Sequence, residues 1–99
     1  MKQFNYIIDN GKFIINAIHE KTELDYETIP EVKALIQLGK KEGHKEVVID
    51  FKNIKYFNSD GLGLLIFGTK KNQLTLINLN KYLKKVFEIT NTDQLFKIK

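Results

Sequence analysis

The 99-residue chain has no cysteine, which excludes a disulfide framework and any thiolate zinc site. It also has no arginine. All sixteen basic residues are lysine, and against twelve acids they leave a formal charge of +4. Lysine meets a phosphate as a point charge and lacks the planar fork that reads base edges. The lysines are also dispersed: Lys40 with Lys41, Lys70 with Lys71 and Lys84 with Lys85 each fall near a helix end or outer face. A nucleic-acid surface needs a clustered basic stripe interleaved with aromatics, so no nucleic-acid partner is expected. Long apolar runs are missing as well. The longest, Leu62 to Phe67, is interrupted by Gly63 and is too short to cross a bilayer. The opening "MKQFNYIIDN" has neither a continuous apolar segment nor a small-residue cleavage site. Cytoplasmic residence without membrane insertion is the resulting expectation. No linker, repeat or low-complexity segment divides the chain, so one domain over residues 1–99 is expected.

What is present alternates strand and helix signals. "FNYII" (4–8) and "KFIINAI" (12–18) flank Asp9-Asn10-Gly11, a hairpin signal because Asn and Gly tolerate positive φ. The polar "HEKTELDYE" reads as a connection. Thr28-Ile29-Pro30-Glu31 fits a capping box with proline in the first turn. Ile29, Val32, Leu35, Ile36 and Gly39 then repeat at helical spacing, and Gly43 suits a left-handed stop. "EVVIDF" (46–51) lacks alternation, as a central strand covered on both faces would. A second helix is expected from Ser59 to about Lys71, a strand at 73–78, and a third helix carrying Leu79, Leu83, Val86 and Phe87. A short helical piece and an extended stub close the chain. The order β-β-α-β-α-β-α predicts an α/β domain whose mixed sheet is mostly parallel, with an antiparallel hairpin at its start.

The stretch with chemical potential is "FNSDGLG", Phe57 to Gly63. As a nucleophile elbow it fails, because Phe57 stands where the glycine before the serine is required. A base is missing too. Both histidines, His19 and His44, belong to other chain segments, and His44 enters at the amino edge of "EVVIDF", a strand's length from Ser59. Gly63 to Lys70 has the glycine spacing of a phosphate loop, but the order Thr69-Lys70 is inverted and bulky apolar residues fill the nest. Gly61-Leu62-Gly63 lacks the third glycine and companion acid of a dinucleotide fingerprint. Neither a cofactor nor a metal is expected. The local reading makes Ser59 a helix N-cap, with Asn58 as the alternative, and lets the glycines bring the helix close to its neighbours. It leaves the apolar "LGLLIF" unexplained, since a helix apolar on all sides is either buried or partly reserved for a partner.

Two segments, "VVIDFKNIKYFNSDGLGLLIF" and "LTLINLNKYLKKVFEITNTDQLF", resemble the STAS domain (sulphate transporter and anti-sigma factor antagonist). That family's pattern is an apolar strand ending in Asp, a loop, Asp-Ser-Ser-Gly-Leu-Gly opening a helix, a strand ending in Asn, and a helix ending in Leu-Thr-Gly-Leu. Asp50, Ser59, Gly61, Leu62, Gly63, Asn78, Thr90, Leu95 and Phe96 match in register. Asn58 stands where the family has Asp, Asp60 where it has a second Ser, and Asn91 where it has Gly. Between Gly68 and Gln73 the chain is a few residues shorter than the family.

The resemblance implies a single STAS-like domain with helices packed mainly on one face of the sheet. It also implies a non-catalytic regulator of the anti-sigma factor antagonist type. In such proteins the serine at the position of Ser59 is phosphorylated by an anti-sigma factor that is also a serine kinase, and phosphorylation ends binding. Carried onto this chain, the partner-binding residues are Asn58, Ser59, Asp60, Gly61, Leu62 and Leu65. The alternative role the family offers is an accessory subunit docking on the ATPase of a lipid-transporting ABC system. A third is a partner-binding module independent of phosphorylation.

Overall fold

The computed structural model describes residues 2–67 and 74–99, and for Ser59, Leu64 and Phe67 the backbone alone. The hairpin forms as its turn residues dictate. β1 (Phe4–Asp9) and β2 (Lys12–Ala17) pair antiparallel, Asp9 opposite Lys12. Asn10 and Gly11 take φ of 51° and 77°, the left-handed pair that a two-residue hairpin turn needs. The next elements are β3 (Thr22–Leu24), α1 (Ile29–Lys41), β4 (Glu46–Asp50), β5 (Ile54–Phe57) and α2 (Ser59–Phe67). β6 (Leu74–Ile77), α3 (Lys81–Ile89), a 3₁₀ turn at Asp93–Leu95 and β7 (Lys97–Ile98) complete the chain. The main sheet runs β1-β2-β4-β6-β7, parallel from β2 onward, with β4 central.

Registration sorts the sheet's two faces. Phe13, Val47 and Leu74 share one row, Ile15, Ile49 and Leu76 the next, and all six are buried. They form one cluster with Val32 and Ile36 of α1, Leu65 of α2, and Leu83 and Phe87 of α3, so the three helices cover the same face. β4 is therefore not covered by helices on both sides. Val48 points to the opposite face and is buried there outside that cluster.

Two strands depart from the sequence expectation. β3 lies in the stretch taken for a connection, and β5 intervenes between β4 and α2, so α2 does not follow β4 directly. These two short strands pair parallel with each other in a separate two-stranded sheet. The Asn53 amide ties that sheet to the hairpin by donating to the Ala17 carbonyl at 3.1 Å. Strands of three and four residues whose partner lies some thirty positions away leave no local periodicity to read.

The capping box at Thr28 does not form. The Thr28 hydroxyl donates to the Glu23 carbonyl at 2.9 Å and accepts from the Asp25 N–H, while Thr28 makes no side-chain cap. Glu31 instead accepts from the N–H groups of Gln3 and Phe4 at 2.9 and 2.7 Å. A long-range clamp on β1 has displaced the local reciprocal bond. The other helix signals hold: Pro30 sits in the first turn of α1, and Gly43 has φ 79° just beyond it.

The face opposite the helices carries a charged network. Glu46 accepts from the Thr75 hydroxyl at 2.5 Å and lies 3.9 Å from both Lys12 and Lys99. The Thr75 bond, helped by weaker attraction to the lysines, holds its carboxyl below the ordinary value and outweighs the upward push from burial. A carboxylate with a lowered folded-state pKa contributes stability that is present above its unfolded value and lost as pH falls through the folded one. Glu46→Gln should therefore cost about 1 kcal/mol at pH 7. The difference from wild type should shrink below pH 4, as followed by urea midpoints across that range.

Candidate functional site

The site is built where the carboxyl ends of the parallel strands meet the start of α2. At the end of β4, Asp50 Oδ1 accepts from the Lys52 N–H at 2.9 Å and from the Asn78 amide at 3.0 Å. Asn78, just past β6, takes φ 60°, a left-handed conformation that Asn tolerates. The two matched strand-end residues are thus partners. Their bond ties the exits of the adjacent strands β4 and β6.

β5 delivers the chain to Asn58, whose Oδ1 accepts from the Gly61 N–H at 3.0 Å while its carbonyl accepts from Leu62 at 3.1 Å. Asn58 is therefore the N-cap and Ser59 the first helical residue. The expectation that Ser59 caps the helix is corrected. An amide at the position before the helix reaches the third N–H, which is the geometry a cap requires. Asn58→Ala should cost about 1 kcal/mol, with a lowered melting temperature as the readout.

The glycines differ in role. A Cβ on Gly61 would lie 2.5 Å from the Leu24 carbonyl oxygen, so α2 and the end of β3 touch backbone to backbone. Gly63 is exposed and a Cβ there would meet nothing within 4 Å, so close approach explains only the first. Leu62 is partly buried against the core and Asp60 is exposed. Leu65 is fully buried, which corrects its assignment to the contact surface. It anchors α2 from beneath. Thr69, which falls on one helical stripe with Leu62, Leu65 and Ile66 by three- and four-residue spacing, and the shortened 68–73 segment lie outside the described residues.

Beside the start of α2 opens a groove of about 300 Å³ lined by Tyr56, Phe57, Asn58, Leu62, Tyr82, Val86 and Thr90. α3 presents two apolar stripes. Leu83 and Phe87 enter the core, while Tyr82, 56% exposed, and Val86 line the groove, and Ile89, one turn beyond Val86, is 71% exposed. Lys81 and Lys85 occupy the outer side of that helix. Sequence periodicity marked Leu83, Val86 and Phe87 together; that Val86 also lines the groove, with Tyr82 one turn before it, is decided by the structure. A floor of rings supports the groove. Phe57 stands 5.2 Å from Phe87, and Phe87 5.7 Å from Phe96.

α3 ends as the sequence indicates. Asn91 takes φ 57°, its N–H bonds to Glu88 O, and the Thr92 N–H reaches Phe87 O, the doubly bonded left-handed stop. Asparagine supplies there the left-handed residue for which glycine is the usual choice.

His44 engages Phe13 at 5.3 Å between ring centres and Glu42 at 3.7 Å, at the amino end of β4. His19 precedes β3, where its carbonyl accepts from the Thr22 hydroxyl. Among the described residues no group of three or more His, Asp or Glu could hold a metal ion, and no helix is long and apolar enough to cross a membrane.

The family model described as "STAS domain" matches residues 15–99. The chain belongs to the STAS domain family. This STAS domain is 28% identical over 82 residues to the anti-sigma-B factor antagonist of Staphylococcus aureus, covering 77% of this chain and 75% of that protein. Its fold superposes on an anti-sigma factor antagonist from Mycobacterium paratuberculosis with a TM-score of 0.78 at 17% identity, over 96% of this chain and 82% of that one. It also superposes on the Bacillus cell fate determinant SpoIIAA in its phosphorylated form, with a TM-score of 0.63 at 17% identity over 97% and 90% of the two chains. At these identities the structures show a common fold.

Proposed function

We propose that this STAS domain is a non-catalytic regulator of the anti-sigma factor antagonist type. Its partner is an anti-sigma factor that is also a serine kinase, and phosphorylation of Ser59 ends the binding. The observation that carries this reading is the meeting of two features. The first residue of α2, Ser59, lies next to Asn58 and near Leu62 in the chain, and both of these line an open apolar groove. The names of the curated relatives support the partner class, and a structural neighbour is described in a phosphorylated form.

The physical chemistry suits a switch. The cap belongs to Asn58, so a phosphate on Ser59 would leave the Asn58–Gly61 bond in place. A helix amino terminus favours negative charge, so the domain would stay folded while about −2 of charge enters its contact surface. Transfer would move the terminal phosphoryl group of ATP to the serine oxygen, with ADP as the leaving group and a base of the kinase taking the hydroxyl proton. Asn58, Asp60 and Leu62 would read out contact around it, with Gly61 holding the loop against β3.

Capture on the immobilised domain from its native cell, followed by calorimetry with the recovered partner, tests the reading. A kinase-fold ATPase should be recovered, and Tyr82→Ala should weaken it three- to tenfold. Recovery of a transporter ATPase would replace the proposed partner. Full affinity in the Tyr82 variant would remove the groove from the interface.

A further inference from the structure

β1 borders the five-stranded sheet, and among the described residues no strand pairs with its outer side. Which of its backbone groups point outward follows from the register. The Ile18 N–H donates to the Gln3 carbonyl at 2.9 Å, making Gln3 and Ile18 a hydrogen-bonded pair in the frame that sets Phe4 opposite Ala17. Such pairs alternate along an antiparallel ladder. Asn5, Ile7 and Asp9 therefore turn their N–H and C=O groups toward β2, and Phe4, Tyr6 and Ile8 turn theirs outward. Glu31 has taken the Phe4 N–H. The donors and acceptors of Tyr6 and Ile8 remain on the edge.

Side chains leave the same edge undefended. Ile7 and Ile8 are 54% and 55% exposed, on opposite faces of the strand. "FNYIID" has no lysine, no proline and no bulge, the devices by which natural sheets blunt an edge.

We propose that β1 pairs antiparallel with β1 of a second copy of this chain, across a two-fold axis through Ile7, joining the two main sheets edge to edge. One register uses all the donors and acceptors of Tyr6 and Ile8. Tyr6 of each copy lies opposite the partner's Ile8 and exchanges both backbone bonds with it. Ile7 faces the partner's Ile7 as the close, non-hydrogen-bonded pair. Centring on Tyr6 would require the Phe4 N–H that Glu31 occupies. Centring on Ile8 would set Tyr6 against the partner's Asn10, which has φ 51° in the turn. The register through Ile7 is also chemically self-complementary: Asn5 meets the partner's Asp9 as amide against carboxylate, Ile7 meets its own copy, and Tyr6 meets isoleucine. No like charges face each other. An interface of one strand edge is smaller than a standard stable one, so the dimer is weak, half formed on the order of 100 μM.

Sedimentation velocity on the full chain from ~10 μM to ~1 mM is the first measurement, and a monomer–dimer equilibrium in that range is expected. Ile7→Lys, at an exposed position, sets two ammonium groups opposite each other and should stay monomeric; so should Ile7→Glu. An equimolar mixture of these two variants should dimerise again. Because the chain has no cysteine, Ile7→Cys offers a geometric check. Mild oxidation should crosslink it rapidly, whereas Asn5→Cys, displaced along the strand from its own copy, should stay uncrosslinked. Circular dichroism establishes that each variant is folded. A wild type that is monomeric throughout, a dimer that survives Ile7→Lys, or Asn5→Cys crosslinking as fast as Ile7→Cys would each overturn the proposal.

Discussion

Gly61→Ala should destabilise the protein by about 3 kcal/mol, whereas Gly63→Ala should stabilise it by ~0.5–1 kcal/mol. The two glycines stand two positions apart in one helix, and their environments are opposite. The methyl group added at Gly61 would sit 2.5 Å from the Leu24 carbonyl oxygen and 3.2 Å from the Phe57 Cβ. Neither neighbour is a flexible side-chain end that can rotate away. Relief requires α2 to lift from the end of β3, which would disturb the Asn58–Gly61 cap and the seat of buried Leu65. At Gly63 the added methyl meets open space, and only the entropy that glycine loses on entering a helix is changed. For a domain of this size the Gly61 change corresponds to a fall in melting temperature on the order of 10–20 °C. Differential scanning calorimetry reads both variants. Shifts of the same sign would mean that α2 does not dock on β3 as described.

The second large effect concerns binding. Ser59→Asp is expected to weaken partner affinity more than tenfold, ~1.4 kcal/mol or more, while Ser59→Ala stays near wild type. A carboxylate at the first helical position, beside exposed Asp60, places two adjacent negative charges at the mouth of an apolar groove. The partner must strip water from both in order to dock. Asn58 is neutral, so the unmodified loop carries one acid, Asp60, and remains acceptable to a partner that tolerates a single charge there. With the cap assigned to Asn58, Ser59→Ala should cost less stability than Asn58→Ala. The two variants separate capping from switching. Calorimetric titration of the recovered kinase with wild type, Ser59→Ala and Ser59→Asp provides the measurement. Equal affinity across the three would remove Ser59 from the switch.

Much of the architecture was legible because it rests on local rules. Asn10-Gly11 can take the left-handed pair of angles, and the antiparallel hairpin follows. Val32, Ile36 and Gly39 repeat on a helical period, and α1 follows. "VVI" is continuously apolar, and a central strand follows. The match from Asp50 to Phe96 carried the family. Each of these signals lies within a window of a few residues or in a pattern of residue type and spacing that folding need not be known to read.

What only the tertiary structure decided depends on partners distant in sequence. Glu31 was free to bond the backbone of Thr28 or that of β1, and the hairpin's arrival beside α1 settled the choice in favour of Gln3 and Phe4. β3 and β5 are too short to announce themselves and exist through each other. Asn58 and Ser59 are both competent caps; the path of the chain out of β5 placed Asn58 at the N-cap position and Ser59 one step inside. Leu62 and Leu65 share a helical stripe, and the packing of α2 on the sheet buried the second completely while leaving the first at the groove's rim. The groove has the same origin, since it is the space left between Tyr56 and Leu62 on one side and Tyr82 and Val86 on the other. Sequence sets which residues are able to make such contacts, and long-range packing selects among them because neighbouring alternatives differ by only about 1 kcal/mol.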